Sequence, residues 1–148
     1  MSPSRAQSRS AAKRGAAINE PHDPGVESSV ARPGGVSYLR IPSVNIAASA
    51  AFYRDVFGWQ LGGDAKDPSF SDGSGHVIGR WRTDLPAVGE AGVIPYIYVT
   101  DLDDTLLKAA EHGAKVVTAP YPEGSLWVAT INDPAGNVIG VWQSGARR

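Results

Sequence analysis

The side chains that could carry chemistry in this 148-residue chain are few: three histidines, no cysteine, and aromatic residues at alternating positions. Without cysteine there is no disulfide scaffold, zinc–thiolate site, iron–sulfur cluster or thiol nucleophile. His22, His76 and His112 are scattered. His22 lies in a polar N-terminal stretch, His76 beside a Gly-Ser-Gly turn, and His112 at a helix end, where positive charge is favoured. Ser125 has no base spaced to activate it. Asp101 reads as a helix cap and Asp133 as a turn residue that bonds its own backbone.

The aromatic residues give the better signal. Tyr38, Tyr96 and Tyr98 fall in first strands of two similar segments, Trp81 and Trp142 in fourth strands, and Trp127 in a central strand. Period two puts Tyr96 with Tyr98, Val77 and Gly79 with Trp81, and Val138 and Gly140 with Trp142. Arg40 shares the face of Tyr38 and could fork onto a carboxylate or phosphate, or serve a structural ion pair. These rings could hold a planar guest by stacking. Equally, they could fill a core or a dimer contact.

The elements that must position them can be read in order. Val36–Pro42 is a strand, Asn45 a cap, and Ile46–Phe57 a helix ended by Gly58. Strands follow at Gln60–Gly63, Ser69–Asp72 and His76–Arg82, the last two joined through Gly73-Ser74-Gly75. After a linker from Asp84 to Gly92 the order restarts. Val93–Thr100 is a strand, Leu102–Glu111 a helix capped by Asp101, and strands follow at Lys115–Ala119, Ser125–Asn132 and Val138–Gln143. Gly75-His76-Val77-Ile78-Gly79-Arg80-Trp81 matches Gly136-Asn137-Val138-Ile139-Gly140-Val141-Trp142 at five of seven positions. The fold class is α+β: two βαβββ modules, residues 36–84 and 92–143, sharing one domain over 36–145. Their sheets join around a concavity, the default ligand site.

Composition agrees. Hydrophobic residues make up 42% of the chain, enough for one core, and no apolar run approaches the roughly 18 positions needed to span a bilayer. Residues 1–35 carry five basic and three acidic side chains, and the remainder nine and twelve. An acidic body argues against nucleic acid as a partner. Residues 1–35 hold too few large apolar side chains to offset their ordering cost and are expected to be a disordered extension. They lack the apolar core of a secretory signal, so a cytoplasmic location is expected.

Ile41-Pro42 followed by Ser49-Ala50-Ala51-Phe52-Tyr53-Arg54-Asp55-Val56-Phe57-Gly58-Trp59 resembles the vicinal oxygen chelate superfamily, as do Val99-Thr100-Asp101-Leu102-Asp103 and Asp133-Pro134-Ala135-Gly136-Asn137-Val138-Ile139. This superfamily holds glyoxalase I, bleomycin- and fosfomycin-resistance proteins and extradiol dioxygenases. The resemblance covers about residues 36–143 and implies a cupped, eight-stranded mixed sheet and a homodimer. Metal-dependent members place His or Glu at four inward positions. Motif matching puts these at Tyr38, Gly79, Ile94 and Gly140, none of which does the work of imidazole or carboxylate. No metal or other cofactor is therefore expected, and Gly79 and Gly140 are expected to leave room in the cup.

The function expected from this pattern is metal-free binding of a small aromatic or amphipathic organic molecule, with sequestration of an antibiotic as its most specific form. The ligand-binding set would be Tyr38, Arg40, Trp81, Tyr96, Tyr98, Trp127 and Trp142. A glyoxalase-like lyase or isomerase, with no catalytic residue assigned, is the alternative. A regulatory subunit with a filled cup is the third reading.

Overall fold

Each helix begins where a side chain closes a free backbone donor. In the computed structural model, which describes residues 29–89 and 92–147, Asn45 accepts from the Ala48 N–H at 3.1 Å and opens α1, Ile46–Phe57. Gly58 ends α1 with φ 74°, a left-handed conformation that favours glycine. Asp101 likewise accepts from the Asp104 N–H at 3.0 Å and opens α2, Leu102–Glu111. The expected N-terminal extension lies outside the described residues up to residue 28. Residues 29–35 belong to a unit separate from Val36–Arg148 and form turns.

The strands are β1 (Tyr38–Pro42), β2 (Gln60–Asp64), β3 (Asp67–Ser71), β4 (Ile78–Arg82), β5 (Tyr96–Tyr98), β6 (Val116–Glu123), β7 (Leu126–Asn132) and β8 (Val138–Ser144). They divide into two four-stranded mixed sheets of matching order, β1-β4-β3-β2 and β5-β8-β7-β6. In each, the first strand pairs parallel with the fourth and the remaining pairs are antiparallel. This is the βαβββ plan, twice. The expected strand 93–100 contracts to three residues. The expected strand 115–119 instead runs on to Glu123 through Pro120 and Pro122, which an edge strand tolerates.

One core serves both modules. Phe52, Tyr53, Trp59, Phe70 and Trp81 of the first pack with Ala109, Ile131 and Ile139 of the second. Tyr53 stacks on Trp59 at 4.5 Å between ring centroids, and Phe70 lies 4.8 Å from Trp81. A buried polar joint ties the modules together. Asp133 accepts from the Tyr53 hydroxyl at 2.8 Å and from the Asn137 side-chain amide at 2.8 Å. It also takes the backbone N–H groups of Ala135 and Asn137. The Asn137 amide donates in turn to the Pro42 carbonyl at 2.7 Å. Burial, and then the Asp133 carboxylate, push the Tyr53 phenol far above its ordinary pKa, so it stays a donor.

The helices also meet at the surface. His112 Nε2–H donates to Asp55 at 3.0 Å and Nδ1–H to the Lys108 carbonyl at 3.0 Å. Carboxylates and carbonyls only accept, so this geometry suits the imidazolium. The Lys108 carbonyl first, and then Asp55, raise the His112 pKa. Hydrogen bonds from Arg54 and His112 hold Asp55 at about 2. No described helix is long and apolar enough to cross a membrane.

Candidate functional site

The face of each sheet turned away from the helices follows from period two. In the first module Leu39 and Ile41 pack on the core, so Tyr38 and Arg40 point outward, and both are exposed. β4 is registered on β1 so that Gly79 lies beside Leu39 and Trp81 beside Ile41. Trp81 therefore faces the helices: it is 1% exposed and packs against Tyr53 and Phe70. Gly79 sits on the same inner side, where an added Cβ would strike the Leu39 carbonyl and the Phe70 ring. The outward residues of β4 are Ile78, Arg80 and Arg82. Arg80 pairs with Asp67 at 3.1 Å and Arg82 with Asp84 at 2.6 Å.

In the second module the similar string falls on the opposite face. β8 is registered on β5 so that Gly140 lies beside Tyr96 and Trp142 beside Tyr98. Ile139 and Val141 enter the core instead, with Ile97 packed against it. Tyr98 meets Trp142 edge-on at 4.9 Å. Here Tyr96, Tyr98 and Trp142 share the open face, and both tyrosines are about half exposed.

The cause of the flip is one residue in the hairpin. Asp133 N–H closes onto the Asn137 carbonyl, four residues on, whereas Asp72 N–H closes onto the Val77 carbonyl, five residues on. A shift of one residue exchanges the faces of every side chain beyond it. Val138 thus pairs with Asn132, while Ile78 pairs with the equivalent Ser71. The sequence expectation that Gly79 and Trp81 face the cup with Gly140 and Trp142 is corrected: only the second pair does. Trp127 also differs from expectation. It lies in register with Gln143 and packs beside Leu102, Ala129 and Val141 on the helix side, with the Arg147 guanidinium 5.0 Å above its ring.

A cavity of about 380 Å³ opens on the outer face of the second sheet, lined by Tyr96, Tyr121, Glu123, Leu126, Val128 and Trp142. The volume lies within the range of small-molecule sites. Two of the lining residues, Tyr96 and Trp142, were legible in the sequence. Tyr121 and Glu123 were missed, because the strand expected over Lys115–Ala119 stopped short of them. Their own alternation, continued through both prolines, is the signal that would have found them. Burial, with Tyr96 and Glu123 close by, raises the Tyr121 pKa. Thr130, beside Gly140 in the register, has a buried hydroxyl with no partner among the described residues. Tyr38 and Arg40 do not line this cavity; they stand on the open face of the other sheet.

The positions that would hold a divalent ion do not fit one. The Tyr96 ring lies over Gly140, where an added Cβ would run into it, so the expected room there is filled. Counted from the hairpin, Arg80 occupies in the first sheet the place of Gly140 in the second, since Ser69 pairs with Arg80 as Thr130 pairs with Gly140. Guanidinium offers a metal no lone pair. Ile94 precedes β5 and has no donor. Among the described residues, no three His, Asp or Glu side chains come together.

Comparison with known proteins gives the same picture of the scaffold. The family model of the Glyoxalase/Bleomycin resistance protein/Dioxygenase superfamily matches residues 35–141. The anthracycline biosynthesis protein DnrV of Streptomyces peucetius is 29% identical over 132 residues, covering 76% of this chain and 48% of DnrV. The chain thus spans about half the length of that relative. TnmS3, an antibiotic binding protein from Streptomyces sp. CB03234, has a TM-score of 0.60 at 19% identity, covering 76% of this chain and 97% of its own. A glyoxalase/bleomycin resistance protein/dioxygenase family enzyme from Burkholderia phytofirmans PsJN has a TM-score of 0.59 at 21% identity, covering 73% and 97%. At these identities the structural likeness is one of fold.

Proposed function

The chain belongs to the glyoxalase/bleomycin resistance protein/dioxygenase superfamily, and on that scaffold we propose that it binds a small aromatic or amphipathic organic molecule without a metal ion. The observation that carries this reading is the cavity on the second sheet, where Tyr96, Tyr121 and Trp142 offer ring surfaces on a face that no helix covers. Rings of this kind bind a planar guest by stacking and by loss of apolar surface from water. The missing metal donors direct the site toward binding, and the lyase or isomerase alternative gains nothing from the groups present. An antibiotic is the most specific ligand in keeping with this reading. The descriptions of DnrV and TnmS3 support it.

A second copy of the chain would close the cavity. Tyr38, Tyr96 and Tyr98 leave about half their surface in water, which a homodimer would cover. Calorimetric titration with an anthracycline tests the binding reading. Saturable one-site binding is expected, weakened at least about tenfold by Trp142→Ala and unchanged by Trp127→Phe. No saturable heat up to millimolar ligand would refute it. Light scattering at several concentrations tests the dimer.

A further inference from the structure

The cavity on the second sheet has a charge as well as a shape. Its lining holds one ionisable acid, Glu123, together with three aromatic side chains, and no Lys, Arg or His. Glu123 is exposed and makes no ion pair among the described residues. Its carboxylate lies near the Tyr121 phenol, which in turn lies near Tyr96. Aromatic faces carry negative quadrupole potential, and they attract organic cations most strongly where water is partly excluded.

The surrounding module has the same sign. Between residues 92 and 147 it carries Lys108, Lys115 and Arg147 against Asp101, Asp103, Asp104, Glu111, Glu123 and Asp133. The first module, over residues 36–89, carries Arg40, Arg54, Lys66, Arg80 and Arg82 against Asp55, Asp64, Asp67, Asp72 and Asp84, which balance. The acidic excess of the folded part thus lies in the module that holds the cavity, and summed charge of this kind draws cations toward it.

We propose that the ligand of this cavity is an organic cation: an aromatic molecule bearing an amine that is protonated at neutral pH. Its ring system stacks among Tyr96, Tyr121 and Trp142, and its ammonium group pairs with Glu123. This selectivity rests on the binding role proposed above and adds the ligand's charge to it. Glu123 acts as the selectivity residue, since it stands at the cavity's edge next to the tight turn at Gly124, whose φ is 61°.

Three probes of similar shape and different charge separate the two claims: 9-(aminomethyl)acridine (an ammonium cation at pH 7), acridone (neutral) and acridine-9-carboxylate (anionic). Each is titrated calorimetrically against the full chain and its variants. The cation is expected to bind about tenfold more tightly than the neutral probe, with the anion weakest. Glu123→Gln should bring the cation's affinity down to within about twofold of acridone's, measured on the same variant. Glu111→Gln, which removes an equal charge from α2, should preserve the preference. Equal binding of all three probes, or tightest binding of the anion, overturns the proposal while the binding role stands. A cation preference that survives Glu123→Gln also overturns it, because the selectivity then lies elsewhere. If none of the three binds, the proposal falls, and the anthracycline titration decides the binding role separately.

Discussion

The two modules share a plan, a strand order and five residues of a seven-residue string, yet they present opposite faces of that string. In the first, Trp81 is sealed among Tyr53 and Phe70 and the outer face shows Tyr38 and arginines. In the second, Trp142 stands outside with Tyr96 and Tyr98, and Ile139 and Val141 take the inner places. The two hairpins have equal spacing from the aspartate to the matched valine, and the difference lies in where they close: Asp72 on Val77, but Asp133 on Asn137, one residue before Val138. One module thereby becomes the main source of core and the other the source of a site. Division of labour between repeated units needs no new side chain, only a changed phase.

The hairpin is the most direct place to break this comparison. Deleting Val77, with the five-residue closure kept, puts Ile78 opposite Asp72 and turns β4 over, which would bring Arg80 inward and Trp81 into water. Loss of cooperative unfolding and of near-ultraviolet dichroism is the expected result. A native-like melt would show that hairpin closure does not set the phase.

Tryptophan truncation comes next. Trp81→Ala should cost about 3–5 kcal/mol in denaturant unfolding, as emptied core sites do. Trp142→Ala should cost under about 1 kcal/mol and act on ligand affinity instead. Similar losses for both would remove the distinction between the faces.

The two glycines sharpen the same contrast at a smaller scale. At Gly79 an added Cβ meets the Leu39 backbone, which cannot yield, so Gly79→Ala should destabilise by about 2–3 kcal/mol. At Gly140 the nearest atoms it meets belong to the Tyr96 ring, a side chain on the half-exposed face that can swing outward. Gly140→Ala should cost about 1 kcal/mol or less and reshape the cavity, seen as altered probe affinity.

The smallest effect concerns the contact between the modules' helices. Because the His112 pKa is raised above 6.5, its stabilising contribution is full below that value and lost as pH rises through the raised value. Asp55 is lowered from 3.8 to about 2, so its contribution is full above 3.8 and lost as pH falls through about 2. The melting temperature of wild type relative to His112→Gln should therefore differ most between about pH 4 and 6.5. A difference independent of pH would mean that His112 bears no charge.

The parts legible in the sequence are those fixed by local chemistry. Asn45, Gly58 and Asp101 delimit helices through bonds within a few residues of themselves, and the βαβββ order follows from such punctuation. Tyr96 with Tyr98, and Gly140 with Trp142, share faces as period two within one strand requires, and Trp142 was read onto the open face correctly. Trp81 was not, because its face depends on where a hairpin closes, a matter of one hydrogen bond that composition does not register. Asp133 reads locally as a turn residue, and it is one. Its bond to Tyr53, 80 positions away, exists only once the modules have docked.

The outermost strand of the second sheet has a further consequence. β6 forms an edge and carries Pro120 and Pro122, neither of which can donate to a neighbouring strand, and its pairing with β7 is irregular near Thr118. Sheet extension from that side is blocked, so copies of the chain cannot add end to end into a fibre there. Any strand-by-strand growth must then start from another edge, β1, β2 or β5.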